Sequence, residues 1–226
     1  MTYQLVLGDP AYSSWSLRGW LLFHRWSIPF ETRWVSFSLD QSVAEQMPDM
    51  APARTVPAVK MPDGAVVGDS LAIAEELATR HPDLAFWPQD SVDRAAARAM
   101  VAEMHSGFAV LRQLCPMNVR CAYSEVPIPS ELESDLSRIN VLWQEALNKS
   151  GGPWLFGQYT VADAFFAPVA ARIAGYGLPV SQTAQGYVAR HLADPAFLEW
   201  RKMGLEIGPD LEWYAMTYPQ VAWPGP

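Results

Sequence analysis

The hydrophobic pattern of this chain changes character once. Tyr3 to Leu7 is a short apolar run stopped by Gly8-Asp9-Pro10, which predicts a strand ending in a turn. Leu17, Trp20 and Leu21 fall at i, i+3 and i+4, so Ser14 to about Arg25 predicts a helix. Phe30 to Val35 predicts a second strand, completing a βαβ unit. A polar stretch follows, with a short helix expected around Val43 to Met47. Ala58–Met61 and Ala65–Gly68 then predict two strands joined by the turn sequence Pro62-Asp63-Gly64. A third helix starts at Ser70, read as its N-cap, and runs through Leu71, Ile73, Ala74 and Leu77.

Between His81-Pro82 and Gln89-Asp90 the periodicity is lost, and after it only helical spacing appears. Ser91 to about Leu114 predicts one long Ala-rich helix. Glu131 to about Lys149 carries Leu132, Leu136, Ile139, Trp143 and Ala146 on one face and is stopped by Gly151-Gly152-Pro153. Thr160-Val161-Ala162-Asp163 has the capping-box spacing, and the helix it opens, to about Ala174, is apolar on all sides and so should be buried. Two further helices fit Thr183–His191 and Pro195–Leu205, and the tail from Gly208 reads as irregular, with Trp213, Tyr214, Tyr218 and Trp223. The expected architecture is α/β followed by all-α. A thioredoxin-like order of elements occupies residues 1–80, a linker 81–90, and an all-helical domain 91–226.

Composition narrows the partners. With 226 residues, half of them hydrophobic and 18% charged, the chain is long enough for two packed cores. A net charge of -8 argues against a nucleic-acid partner, which needs clustered Lys and Arg, but leaves room for a small anionic ligand. Met1-Thr2-Tyr3-Gln4-Leu5 lacks the basic and apolar regions of a secretory leader, and no apolar run is long enough to span a bilayer. Asn148-Lys149-Ser150 is then a chance sequon. Two cysteines, Cys115 and Cys121, make no disulfide framework, so a reducing cytoplasm is the expected compartment. His24, His81, His105 and His191 lack metal-ligand spacing, so no metal is expected. Most of the ten Trp residues are read as packing residues.

Three short motifs in fixed order carry the chemistry. Ser13-Ser14 lies between the first strand and its helix, where a hydroxyl assisted by the helix N-terminus favours a bound thiolate over the thiol. One serine caps the helix in the plainer reading, and two adjacent serines allow one role each. Val56-Pro57 precedes a strand; Pro cannot donate to a ladder, so it stands at the strand start or in an ordinary loop. Asp69-Ser70 sits where a strand gives way to a helix. First-turn amides and the Ser hydroxyl suit a carboxylate there, and Asp69 suits an ammonium. A γ-glutamyl group carries both charges on one carbon; a plain N-cap is the alternative.

In sequence these segments resemble the cytosolic glutathione S-transferases, over essentially the full length. Ser13-Ser14-Trp15-Ser16-Leu17-Arg18 looks like the Ser-Ser-x-Ser-x-Arg signature of zeta-like bacterial members. Thr55-Val56-Pro57 resembles the family's x-Val-Pro turn, Asp69-Ser70 its γ-glutamyl clamp, and Thr160 to Asp163 the capping box of a buried helix. The resemblance implies a cis Pro57 that leaves the Val56 backbone free to pair with an extended peptide, glutathione as co-substrate, and a homodimer. It implies Ser13 as thiol activator, with Ser14 second. It implies a glutathione site of Arg54, Thr55, Val56, Pro57, Asp69 and Ser70. An interdomain cleft for a hydrophobic electrophile is expected to include Tyr12, Trp15, Met104, His105 and Phe108, with His105 a candidate proton donor. Thr55 departs from the Lys or Gln usual before Val-Pro, and Arg54 is the nearest substitute cation. No cysteine occupies the Ser13 region, which argues against thiol-disulfide chemistry. The implied activity is addition of the glutathione thiolate to an electrophile. The alternatives are a glutathione-dependent isomerase of the maleylacetoacetate type and a non-catalytic binding or scaffold protein on the same fold.

Overall fold

A computed structural model describes residues 2–226. Four strands, β1 (Tyr3–Gly8), β2 (Phe30–Val35), β3 (Ala58–Lys60) and β4 (Val66–Gly68), form one sheet in the order β2-β1-β3-β4. β1 runs parallel to β2, with Tyr3 opposite Phe30 and Gly8 opposite Val35. A parallel pair needs a crossover, and α1 (Ser14–His24) supplies it. β3 is antiparallel to β1, with Leu5 opposite Val59, and β4 is antiparallel to β3. Successive side chains of a strand face opposite sides. Leu5 and Leu7 therefore enter the main core with residues of α1 and α3 (Ser70–Arg80), while Val6 joins Val35, Met47, Met50 and Ala58 in a second cluster. α2 (Val43–Gln46) and a helical turn at Pro48–Met50 contribute to that second cluster.

Six more helices follow: α4 (Ser91–Ser106), α5 (Ala109–Leu114), α6 (Ser130–Ser150), α7 (Val161–Gly175), α8 (Gln182–Leu192) and α9 (Pro195–Glu206). α7 is the hub. It is buried along almost its whole length, and α1, α4 and α8 all pack against it. Its capping box forms as expected: Thr160 Oγ1 accepts from Ala162 N at 3.3 Å, and Asp163 Oδ2 accepts from Thr160 N at 2.8 Å. Asp163 Oδ1 also accepts from Leu155 N at 3.1 Å and from the Tyr187 hydroxyl at 2.8 Å, locking α7 to α8. The molecule is thus a thioredoxin-like α/β unit with a mixed sheet, followed by a helical unit, the two sharing one continuous core.

Four expectations need correction. Asp69, not Ser70, is the N-cap of α3. Its carboxylate accepts from Leu71 N at 2.8 Å and Ala72 N at 3.3 Å, which puts Ser70 inside the first turn. The long helix expected over 91–114 breaks in two, because Gly107 is extended and Phe108 turns left-handed at φ 54°. Arg112 Nη2 donates to the Met104 and His105 carbonyls that the break leaves free. A two-residue pairing of β5 (Ala122–Tyr123) with β6 (Gln220–Val221) interrupts the all-helical part. The tail is also less irregular than expected, with a helical turn at Glu212–Tyr214.

Candidate active site

The loop from β1 to α1 is shaped by Asp9. Its carbonyl accepts from Tyr12 N at 3.1 Å and Ser13 N at 2.9 Å, and its buried carboxylate accepts from Phe37 N at 2.5 Å. Burial pushes the Asp9 carboxyl up from its ordinary value, opposed by the Phe37 hydrogen bond and the Arg120 charge. This turn delivers Ser13 to the N-cap of α1. Ser13 Oγ accepts from Ser16 N at 3.2 Å and donates to Ser16 Oγ at 2.7 Å, and Ser16 Oγ accepts from Gly8 N at 2.9 Å. The proton of Ser13 is therefore committed within the cap. Ser14 is placed differently. Its Oγ accepts from Arg172 Nη2 at 3.1 Å, and since a guanidinium has no acceptor, Ser14 keeps its proton to give.

Both serines line a cavity of about 370 Å3 between the two units. Tyr12 and Trp15 flank them, Thr55 and Val56 stand in the wall, and Phe37 and Val43 add apolar surface from the small unit. The helical unit and tail contribute Arg112, Pro116, Met117, Arg172 and Tyr214. Among the described residues none that lines it is acidic, while two are guanidinium cations. Burial lowers the pKa of both, Arg172 to about 10, a value at which it is charged at neutral pH. Arg18 is fully buried nearby, 4.3 Å above the Trp15 ring, with Arg112 5.2 Å from the same ring. Burial first, then the Arg112 and Arg172 charges, push Arg18 well below its ordinary value.

The tail closes one side. Tyr214 packs on Tyr12 with ring centroids 4.6 Å apart and planes tilted by 31°, and the Tyr12 hydroxyl accepts from Leu211 N at 3.1 Å and donates to Asp210 Oδ1 at 3.4 Å. That hydroxyl is therefore taken. Arg120 ties the tail down by donating to the carbonyls of Gly204 (2.7 Å), Ile207 (2.8 Å) and Gly208 (2.7 Å) and to Asp210 Oδ1 (2.7 Å).

The other expected site residues divide. The Val56-Pro57 bond is cis, and Val56 lies just outside the ladder that begins at Ala58. Pro57 packs on α1 at Gly19, where a Cβ would come 2.6 Å from the Pro57 Cβ, so only glycine fits. Arg54 is exposed and stands away from the cavity lining. Asp69 carries φ 77°, and its Oδ2 meets His105 Nε2 at 3.2 Å. Ser70 is fully buried with a hydroxyl that has no partner among the described residues. Burial lowers the His105 pKa; Asp69 opposes this, while Arg18 and Arg112 add to it, so the imidazole is neutral near pH 7. His105 sits edge-on to Trp15 at 5.1 Å, linking the α3 N-terminus to the cavity wall. Met104 and Phe108 are buried in the core and do not line the cavity. Sequence reading missed Arg112, Arg172, Phe37 and Tyr214. A signal existed for Arg172, the single cation in a helix otherwise apolar except for Asp163. Among the described residues no group of His, Cys, Asp or Glu is arranged to hold a metal, and no helix is long and apolar enough to cross a membrane.

Residues 12–80 match the family model described as the glutathione S-transferase N-terminal domain. A probable maleylacetoacetate isomerase from Caenorhabditis elegans is 34% identical over 88 residues, which is 39% of this chain and 40% of that protein. A maleylacetoacetate isomerase from Rattus norvegicus is 29% identical over 142 residues, 62% of this chain and 64% of that protein. These matches thus span less than two thirds of either relative's length. A Burkholderia glutathione transferase homologue, solved with bound glutathione, superposes with a TM-score of 0.70 at 22% identity, covering 92% of this chain and all of that one, and so shares its fold. Serines at the head of the first helix, a Val-Pro turn facing them and a helical unit closing the cavity coincide with these matches: residues 12–80 match a glutathione S-transferase N-terminal domain, and the chain as a whole has the glutathione transferase fold.

Proposed function

We propose that this protein is a glutathione-dependent enzyme that activates the thiol of glutathione for attack on a small electrophile. In this reading Val56, with Thr55 beside it, pairs its backbone with the cysteinyl unit. The α3 N-terminus with Ser70 takes the γ-glutamyl carboxylate. Asp69 retains acceptor capacity for the ammonium beyond its cap and its contact with His105. The sulfur then meets Ser14, whose hydroxyl donates to the thiolate. Ser13, placed first by sequence resemblance, serves as the helix cap instead. Rate enhancement comes from thiolate stabilisation and proximity, with no covalent bond to the protein. A cytoplasmic homodimer belongs to the same reading and draws on the sequence resemblance alone.

The observation that carries it is the Ser14 hydroxyl, acceptor to Arg172 and free to donate, at a cavity with two cations and no acid in its lining. The test is turnover of glutathione with an electrophilic aryl halide. Ser14→Ala should lower kcat by about 100-fold with little change in the KM for glutathione. Wild-type turnover in that variant sinks the assignment.

A second reading is supported by the names of the curated relatives, which are isomerases. Here the thiolate adds to a cis double bond, the adduct rotates and the thiol leaves. Supplied with maleylacetoacetate, such an enzyme regenerates glutathione, whereas a transferase consumes it one for one. A thiol assay on the reaction mixture separates the two.

A further inference from the structure

α7 is the most buried helix of the molecule, and it carries one cation. Arg172 is 5% exposed, and its nitrogens donate to the Cys115 carbonyl (Nε, 3.0 Å), the Pro168 carbonyl (Nη1, 3.3 Å) and Ser14 Oγ (Nη2, 3.1 Å). All three partners are neutral. A buried cation without a counter-ion is costly, and the capping box of α7, twelve residues away, does not use it. What Arg172 does reach, 158 residues along the chain, is the serine at the head of α1.

Two physical effects follow from that contact. A donor-only group on Ser14 Oγ takes a lone pair and turns the hydroxyl proton away from itself. Its charge, one hydrogen bond removed from the serine proton, favours an anion at the next position. We propose that Arg172 is a positioning residue for thiol activation: it holds Ser14 as a proton donor and biases the bound thiol toward thiolate. The proposal rests on the reading that the glutathione sulfur meets Ser14. It makes a helix of the second unit part of the chemistry of the first.

The titratable groups around Arg172 do not compete near neutral pH. An arginine guanidinium holds its proton, so Arg112 of α5 and Arg18 of α1 add no transition here; burial pushes the Cys115 thiol up to about 12 and raises Tyr176 and Tyr214 as well. Asp163, the other charged group of α7, is committed to its cap and to Tyr187. A thiolate transition seen near neutral pH therefore belongs to the ligand.

The experiment is ultraviolet thiolate absorbance of glutathione bound to the full chain, followed against pH. Wild type, Arg172→Met, Arg172→Lys, Ser14→Ala and the Ser14→Ala, Arg172→Met double variant are compared. The wild-type midpoint should lie well below the free-thiol value of about 8.5. Arg172→Met should raise it by about one unit, a tenfold loss of thiolate below the midpoint. The same change should move it by less than half as much when Ser14 is already Ala. Arg172→Lys keeps the charge but loses the planar fork, and should fall between. If Arg172→Met does not fold, the Lys variant decides, and an unchanged midpoint there overturns the proposal. An unchanged midpoint in Arg172→Met, or an equal shift with and without Ser14, also overturns it. A wild-type midpoint at the free-thiol value would instead overturn the thiol-activation reading beneath it.

Discussion

His191 offers a test of the core by pH alone. It lies in α8 at 1% exposure, edge-on to Tyr187 at 4.6 Å and Trp154 at 5.1 Å, and its Nε2 has no hydrogen-bond partner among the described residues. Burial, then the charges of Arg25 and Arg190, push the imidazole down from 6.5 to about 3. The unfolded chain therefore takes up this proton near pH 6.5 and the folded chain does not until about pH 3, so stability falls as pH falls through that window. From 6.5 to pH 5 is 1.5 units, or about 2 kcal/mol. Because the folded value lies below 5, its exact position does not enter. Asp163, which shares Tyr187 as a neighbour, works the other way. Burial raises its carboxyl from 3.8 to about 6, so stability rises as pH falls between those values. The two slopes oppose one another in the wild type. His191→Gln removes one of them. Urea unfolding followed by Trp fluorescence should show the variant gaining about 2 kcal/mol relative to wild type between pH 7 and pH 5. Any packing cost of glutamine is the same at each pH and cancels. A difference that stays constant from pH 7 to pH 5 would mean that His191 is hydrated or paired, and the reasoning fails.

Two further outcomes follow from contacts already described. Arg120→Ala removes the donors that tie the tail to Gly204, Ile207, Gly208 and Asp210. Local stability there should drop by about 1.5 kcal/mol, which limited proteolysis would register as a roughly tenfold faster cut after Gly208 with the rest of the chain intact. Thr160→Ala removes the side-chain half of the α7 cap and should cost about 1 kcal/mol in the urea midpoint, leaving the thiolate midpoint of bound glutathione unmoved.

What the sequence made legible were features set by local chemistry. β2 is bounded at Phe30 and Val35 as predicted, and α7 starts at its capping box, because each is specified within a few residues. The α4–α5 break was not legible. Its cost is met by Arg112, whose hydrogen bonds to Met104 and His105 are a tertiary rescue of carbonyls that no periodicity reveals. Nor was the β5–β6 pairing, which joins two residues to two others almost a hundred positions away. At the site, the motifs located Ser13, Ser14, Thr55 and Val56 at one cavity. Which serine keeps its proton was beyond them, since that depends on Ser16 for one and on Arg172 for the other.

The charge distribution ties these threads together. A chain of net charge -8 gathers Arg18, Arg112 and Arg172 around one cavity; burial lowers the pKa of each, and the charges of neighbouring guanidiniums add to this for Arg18 and Arg172. Such a cluster destabilises the empty protein, and an anion entering the cavity relieves it, so binding and stability are linked. A scaffold that merely inherited the fold gains nothing from that arrangement. A protein that must hold a thiolate gains twice: the cations lower the energy of the reactive form, and one of them fixes the hydroxyl that meets it. The two gains come from opposite units of the molecule, Ser14 from the sheet unit and Arg172 from the helical one. The closely packed seam of α1 against α7 is therefore what fixes the contact between Ser14 and Arg172.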